Sequence, residues 1–491
     1  MAAIDLIPEV PAPSIRTGAG HLAASQAFQL VLRIATSLSL ARLLDPRDFG
    51  LLGLVSVIIV LLQRTIEDGG MVNALVQRDR VSDRLTSTVF YFNVLVSTAT
   101  TTALIGAAPW LSRALGDEDA TWVLRGIALS FIASAFAKVP MAMVKRSMRY
   151  RRVAMFGSTN ALVTAVVAIP LAMAGHGVAS MVIAQVAAVD VEAAMAWIVS
   201  GWRPIACFDR AELRTVTSYA RNLTAFNLVN YLADAGDKFV VGRFVGTSAL
   251  GLYSLPYRLL FAPVFAITQV YRDLLFPVFS RNQHDDAAIR RTYLRAVGAM
   301  SLVTFPVCAL TAALAQPLVD AVLGPKWHEA GPILSVMAAV ALLQSVLVTG
   351  GIILNSKART DVLLRWGVLA GLVLFGCYLV GSRWGAMGVA VGFLTGTAAL
   401  AYPAMRLPFR ELGMPVRALL VALEPAIGVT ALLTAAALGV RGVLEPAGAS
   451  DIVVVLAGGA VAGLVGAGML AWLRPTAVDD LLSMVRRRSA P

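Results

Sequence analysis

Apolar stretches about as long as a bilayer is thick run through almost the whole chain. An α-helix crosses the hydrocarbon core in about 20 residues. Fourteen such stretches lie near 21–43, 48–68, 87–111, 121–143, 153–174, 178–200, 217–243, 249–280, 292–317, 329–355, 362–381, 384–406, 415–438 and 451–473. Of 491 residues, 58% are hydrophobic and 14% charged, where a soluble domain carries about 25% charged residues. Mean hydropathy is +0.75. The expected fold class is an all-α integral membrane protein with about 14 transmembrane helices.

The net charge of +12 would suit a nucleic-acid partner if it were clustered on a soluble face. It falls instead in short connections between apolar segments, and it alternates. Arg78, Arg80 and Arg84 follow the second segment; Lys145, Arg146, Arg149, Arg151 and Arg152 follow the fourth; Arg203, Arg210 and Arg214 follow the sixth. Arg281, Arg290 and Arg291, then Lys357 and Arg359, then Arg406, Arg410 and Arg417 continue the series. The intervening connections are poorer in Lys and Arg. Basic loops stay cytosolic, so both termini are expected in the cytosol. Met1–Gly20 carries Asp5 and Glu9 and no apolar core, which reads as a tail and not a secretion signal.

Several function classes fall away. The external connections are too short to hold a catalytic domain. Cys207, Cys308 and Cys377, like the four histidines, are scattered, so neither a disulfide framework nor a metal site is expected. No phosphate-binding Gly-x-x-x-x-Gly-Lys-Ser/Thr pattern occurs. The expectation is no catalytic residue, no metal and no cofactor.

The chain repeats itself. Leu40–Leu52, LARLLDPRDFGLL, reads as a helix end, a charged turn and a new helix. Val241–Tyr253, VGRFVGTSALGLY, recurs 201 residues later, setting Arg42 on Arg243 and Gly50 on Gly251. Two further matches follow in the same order at an offset near 210. Lys145–Arg149 resembles Lys357–Arg359, and Gly177-Val178-Ala179 recurs as Gly388-Val389-Ala390. Two equivalent halves suit a secondary transporter. The expected domains are a tail (1–20), an N-lobe of six helices (21–200), a linker (201–216), a C-lobe of six helices (217–406), two appended helices (407–473) and a basic tail (474–491). Glycines at 388, 392 and 396, and at 459 and 463, are expected to let helices approach closely.

Ionisable residues inside a span cost at least about 2.5 kcal/mol and so face a cavity or a partner. They concentrate in the first two helices of each half: Arg33, Arg64, Asp237, Lys238, Arg258 and Arg272. A cavity lined by these helices attracts an anion, with a phosphate or pyrophosphate head group the natural candidate. Arg33 and Arg258 lie deepest. Arg64 and Arg272 sit near helix ends, where snorkelling is the alternative. Asp237 alternatively pairs with Arg243 or caps the turn. Asp190 and Glu192 in the sixth segment either pair with an arginine or bind a coupling cation.

At these residues the sequence resembles a known family. Ala41–Gly50, Asp68-Gly69-Gly70 with Ala74–Arg78, Asn230–Asp237, Gly242-Arg243, Gly251-Leu252-Tyr253 with Tyr257-Arg258, and Phe276–Arg281 resemble the signatures of polysaccharide transporters. These belong to the multidrug/oligosaccharidyl-lipid/polysaccharide exporter superfamily, in the branch that includes Wzx-type flippases. The resemblance implies two pseudo-symmetric six-helix lobes around a central cavity. It also implies a flippase for an undecaprenyl-pyrophosphate-linked oligosaccharide, working as a monomer alongside a polymerase and a chain-length regulator. The rivals are a cation-coupled drug exporter or lipid II flippase of the same superfamily, and a membrane-embedded glycan polymerase or ligase. A drug exporter favours acidic cavities, and a polymerase needs a sizeable outer loop.

Overall fold

The computed structural model describes residues 12–63, 71–77, 81–147, 150–214, 231 and 235–473. Among these every regular element is helical. In chain order they are α1 (Ala12–Leu43), α2 (Pro46–Leu62), the short α3 (Met71–Gln77), α4 (Asp83–Leu115), α5 (Ala120–Arg146), α6 (Tyr150–Met173) and α7 (Val178–Ser200). Residues 235–240 form α8, which runs into a π-helical turn at Val241–Val245. Then come α9 (Thr247–Arg281), α10 (Asp286–Ala313), the one-face-apolar α11 (Ala315–Val322), α12 (Ala330–Ser356), α13 (Thr360–Gly381), α14 (Gly385–Glu411), α15 (Val416–Leu444) and α16 (Asp451–Leu473).

The expected membrane segments fall on helices where they are described, the ninth (292–317) running from α10 across Leu314 into α11; residues 64–68 of the second and most of the seventh (217–243) lie outside the described residues. Among the described residues, 9 helical stretches are long and apolar enough to span a bilayer, one of them (Thr360–Glu411) containing both α13 and α14. The chain is a multi-pass membrane protein. α1 starts at Ala12, upstream of the expected residue 21.

Contacts divide the chain into two compact units, Met1–Gly251 and Leu252–Pro491. In the first unit α5 packs against α4 and α7, and α6 against α1 and α7. Small residues make these approaches possible. At Gly126 an added Cβ would stand 2.8 Å from Val182 Cγ1, and at Gly157 it would stand 2.4 Å from Gln29 Oε1. Thr101 Oγ1 donates to Ala128 O at 3.1 Å between α4 and α5. The stretch after α7 is tied back onto the start of α4. Ile205 N donates to Ser87 Oγ and Asp209 N to Thr88 Oγ1, both at 3.0 Å. Phe90 meets Phe136, Trp197 and Trp202 edge-on beside this strap.

The two sequence repeats meet within this unit. α2 begins at Pro46 and α9 at Thr247, again 201 residues apart. A Cβ on Gly50 would lie 1.7 Å from Thr247 O, and one on Gly251 would lie 1.8 Å from Pro46 O. The contact is reciprocal: each glycine admits the backbone of the equivalent first turn.

In the second unit α10 packs against α12 and α15, α14 against α12 and α13, and α15 against α16. Phe279, Tyr293, Ile353 and Phe409 are fully buried. Tyr293 shares a 2.9 Å hydrogen bond with Thr349 Oγ1 and meets Phe409 edge-on. Gly388 and Gly392 allow the expected close approach, since added Cβ atoms would lie 2.1 Å from Gly381 O and 2.6 Å from Cys377 O. Gly459 and Gly463 do not: nothing lies within 4 Å of either, and Gly458 and Gly466 face Leu314 and Leu433 instead. The four-residue spacing was present on both faces of α16, and only one face is packed. The end of α12 is a Schellman turn with Ala358 at φ 56 where glycine is usual. Ala358 N donates to Asn355 O, and Arg359 N to Leu354 O. The turn delivers Lys357 to Asp286 and Arg359 to Glu411.

Two outcomes are expected in unfolding measurements on the purified full-length protein. Gly50→Ala or Gly251→Ala lowers stability by about 3 kcal/mol, as overpacking against rigid backbone does, while Gly106→Ala, with nothing within 4 Å, does not. Ala358→Gly raises stability by about 1 kcal/mol by relieving the left-handed conformation.

Candidate functional site

The site residues sit on helices whose ends are fixed by charged turns. Asp48 holds the first hairpin. Its Oδ2 accepts from Asp45 N and its Oδ1 from Val178 N, both at 3.1 Å. One carboxylate thus closes the start of α2 and caps the start of α7, where the helix dipole favours negative charge. At the second hairpin a side-chain bond plays the tying part, since Thr247 Oγ1 donates to Asp117 Oδ2 at 2.6 Å. Arg47 pairs with Asp119 at 2.7 Å and lies 3.8 Å from Asp117. Arg243 lies along Gly116, whose positive φ keeps that surface free of a Cβ. The Gly50 and Gly251 matches of the repeat are therefore one glycine crossing, and Arg243 lies beside it along Gly116.

Within this frame the sequence-expected residues divide. Arg33 on α1 and Arg258 and Arg272 on α9 are exposed, and none forms an ion pair among the described residues. Fourteen residues separate Arg258 from Arg272, which puts them on one helix face about 21 Å apart. Arg33 belongs to the first unit and the other two to the second. Arg64 and the Asp68-Gly69-Gly70 signature lie outside the described residues. Asp237 is 4% exposed. Its Oδ1 accepts from Lys238 N at 2.7 Å and lies 3.7 Å from Lys238 Nζ. Asp237 and Lys238 thus compensate one another at the wide turn. Tyr231 donates from its hydroxyl to Val57 O on α2 at 2.8 Å.

The structure adds a polar stripe that motif reading passed over. Ser25 and Gln29 on α1 lie one turn apart and hydrogen-bond at 2.9 Å; Ser25 also meets Ser158 of α6 at 2.8 Å. Arg33 is the next residue on that face of α1. Asn160 of α6 donates to Glu192 Oε2 of α7 at 2.8 Å. The available signal was the four-residue spacing of Ser25, Gln29 and Arg33 inside an otherwise apolar span.

Known proteins agree with this architecture. Residues 39–332 match the family described as polysaccharide biosynthesis protein. The teichuronic acid biosynthesis protein TuaB of Bacillus subtilis (strain 168) is 29% identical over 68% of this chain and 72% of its own length. The succinoglycan biosynthesis transport protein ExoT of Rhizobium meliloti (strain 1021) is 23% identical over 98% of both chains. Among solved structures, the lipid II flippase MurJ in an inward closed conformation superposes with a TM-score of 0.74, over 92% of this chain and 98% of that one, at 11% identity. The fold is shared with that transporter, and the family match spans more than half of the sequence: this chain belongs to the polysaccharide biosynthesis protein family.

Proposed function

We propose that the protein is a flippase that moves an undecaprenyl-pyrophosphate-linked oligosaccharide repeat unit from the cytosolic to the outer leaflet of a bacterial inner membrane. It works by alternating access, with both termini cytosolic, and makes or breaks no covalent bond. The observation that carries the reading is that Arg33, Arg258 and Arg272, on the helices that open each repeat, form no direct ion pair among the described residues. A pyrophosphate is the part of a lipid-linked sugar that most needs charge compensation in a low-dielectric setting, and arginine offers it two parallel donors. The full-length likeness to a succinoglycan transport protein and the fold shared with a lipid II flippase support it.

On this reading 21–200 and 217–406 are the repeated lobes, 201–216 joins them, and 407–473 adds two helices. Arg33 and Arg258 contact the pyrophosphate; Arg64, Arg272 and Lys238 supply the surrounding positive field, and Asp237 fixes Lys238. The protein acts as a monomer beside a polymerase and a chain-length regulator of one polysaccharide pathway. The positive charge on these helices speaks against an exporter of cationic drugs.

The test is transport in cells with normal levels of the variant protein. Arg33→Gln combined with Arg258→Gln is expected to reduce flipping at least about tenfold, the loss of roughly 1.4 kcal/mol or more of charge-assisted binding. The lysine substitutions are expected to retain part of it. Transport that persists unchanged in the double glutamine variant overturns the assignment.

A further inference from the structure

Between α13 and α14 the second unit carries an apolar groove of about 580 Å³. Val373, Cys377 and Val380 form one wall, and Met387 and Val391 the other. They recur at three- and four-residue intervals on each helix, so each wall is a single helix face. The groove owes its depth to glycine. Gly388 and Gly392 draw the two backbones together, and Gly376 has nothing within 4 Å of an added Cβ, which leaves the floor open. Thr395, at the far end, donates its hydroxyl to Val391 O at 3.0 Å, so its donor is already used.

What fills this space must be apolar. α13 packs against α14 and α12, and Leu364, Val368, Leu372 and Leu379 along it are exposed. In a membrane span such a face meets hydrocarbon, and a polar ligand finds no partner there. The groove follows α13 from Val373 to Gly381, about 12 Å along the axis. One leaflet of hydrocarbon is about 15 Å deep. That length suits a single acyl chain, which ends within its own leaflet, and is short for a branched polyprenyl chain.

The mouth of the groove carries a charge. Trp384 lines that end and is 69% exposed, and Arg383 precedes it in the turn Ser382–Trp384. Arg383 is exposed and forms no hydrogen bond or ion pair among the described residues. No Asp or Glu occurs between Asp361 and Glu411, at the other end of the hairpin, so the hairpin has no carboxylate of its own to neutralise this cation. A tryptophan beside a basic residue suits the headgroup level of a bilayer. We propose that the groove is a binding site for an anionic phospholipid, with one acyl chain along the glycine floor and the headgroup phosphate at Arg383. The site needs only that the hairpin spans a bilayer, and it stands apart from the transport reading.

The experiment is photocrosslinking of the full-length protein in lipid nanodiscs. The probes are phosphatidylglycerol and phosphatidylcholine with a diazirine on one acyl chain, and the labelled peptides are read by mass spectrometry. Labelling of residues 373–395 is expected to be about fivefold stronger with phosphatidylglycerol, the effect of one basic residue on an anionic headgroup. Arg383→Gln is expected to abolish that preference. Arg365→Gln, on α13 but about 12 Å beyond the groove, is expected to keep it. Gly376→Leu fills the floor with a side chain that helices favour over glycine. It is expected to lower labelling by both lipids roughly tenfold, as the loss of about two buried methylenes does. Gly367→Leu, equally open but outside the groove, is expected to leave labelling unchanged. Equal labelling by the two lipids, a preference that survives Arg383→Gln, or full labelling of Gly376→Leu overturns the proposal. So does labelling that undecaprenyl phosphate displaces and unlabelled phosphatidylglycerol does not, which assigns the groove to a polyprenyl chain. Labelling that vanishes when two copies share a nanodisc assigns the face to a second copy of this chain and overturns it too.

Discussion

A charge in hydrocarbon has no water to turn to, and much of this molecule follows from that constraint. Most spans meet it by carrying almost no charge: α12 has a continuous apolar run, and its cations wait at the Lys357–Arg359 turn outside it. Where charge does enter, it is either compensated locally or left facing outward. Asp237 and Lys238 are neighbours that satisfy one another. Glu192 takes one hydrogen bond from Asn160. Arg33, Arg258 and Arg272 have no such partner among the described residues.

The crossing of the two repeated first turns is built from backbone and short polar side chains. Gly50 and Gly251 bring the first turns of α2 and α9 to backbone contact, and no residue with a Cβ fits there. Asp48 and Asp117 then tie those turns to neighbouring helix ends. Asp48 accepts from a backbone N–H that the start of α7 leaves without an intrahelical partner, whereas Asp117 accepts from the side-chain hydroxyl of Thr247. The result is a polar margin around an apolar body, with the repeat relation expressed as contact.

The spans were legible because a 20-residue apolar run admits few alternatives, and α4–α7, α10 and α12–α16 appear where hydropathy puts them. The hairpin repeat was legible because Arg42/Arg243 and Gly50/Gly251 stand in a fixed register with unusual residues between them. Partners across helices were not. Nothing local in Asp48 names Val178 as its donor, and nothing in Asn160 names Glu192, because both pairings depend on how α2, α6 and α7 rotate about their axes. The glycines of α16 show the same limit. The spacing of Gly459 and Gly463 equals that of Gly388 and Gly392, yet only the latter pair meets a neighbour. Periodicity fixes a face; which face is packed is decided by the rest of the bundle.

The family places the chain in polysaccharide biosynthesis, and the fold is that of a transporter. The link between them is the claim that a lipid-linked sugar crosses the bilayer through this protein. The most direct measurement is the leaflet distribution of the lipid-linked oligosaccharide in cells lacking the protein and in the same cells with it restored. The account predicts accumulation on the cytosolic leaflet without the protein and movement to the outer leaflet when it returns. An unchanged distribution, with the precursor synthesised at normal levels, would contradict it.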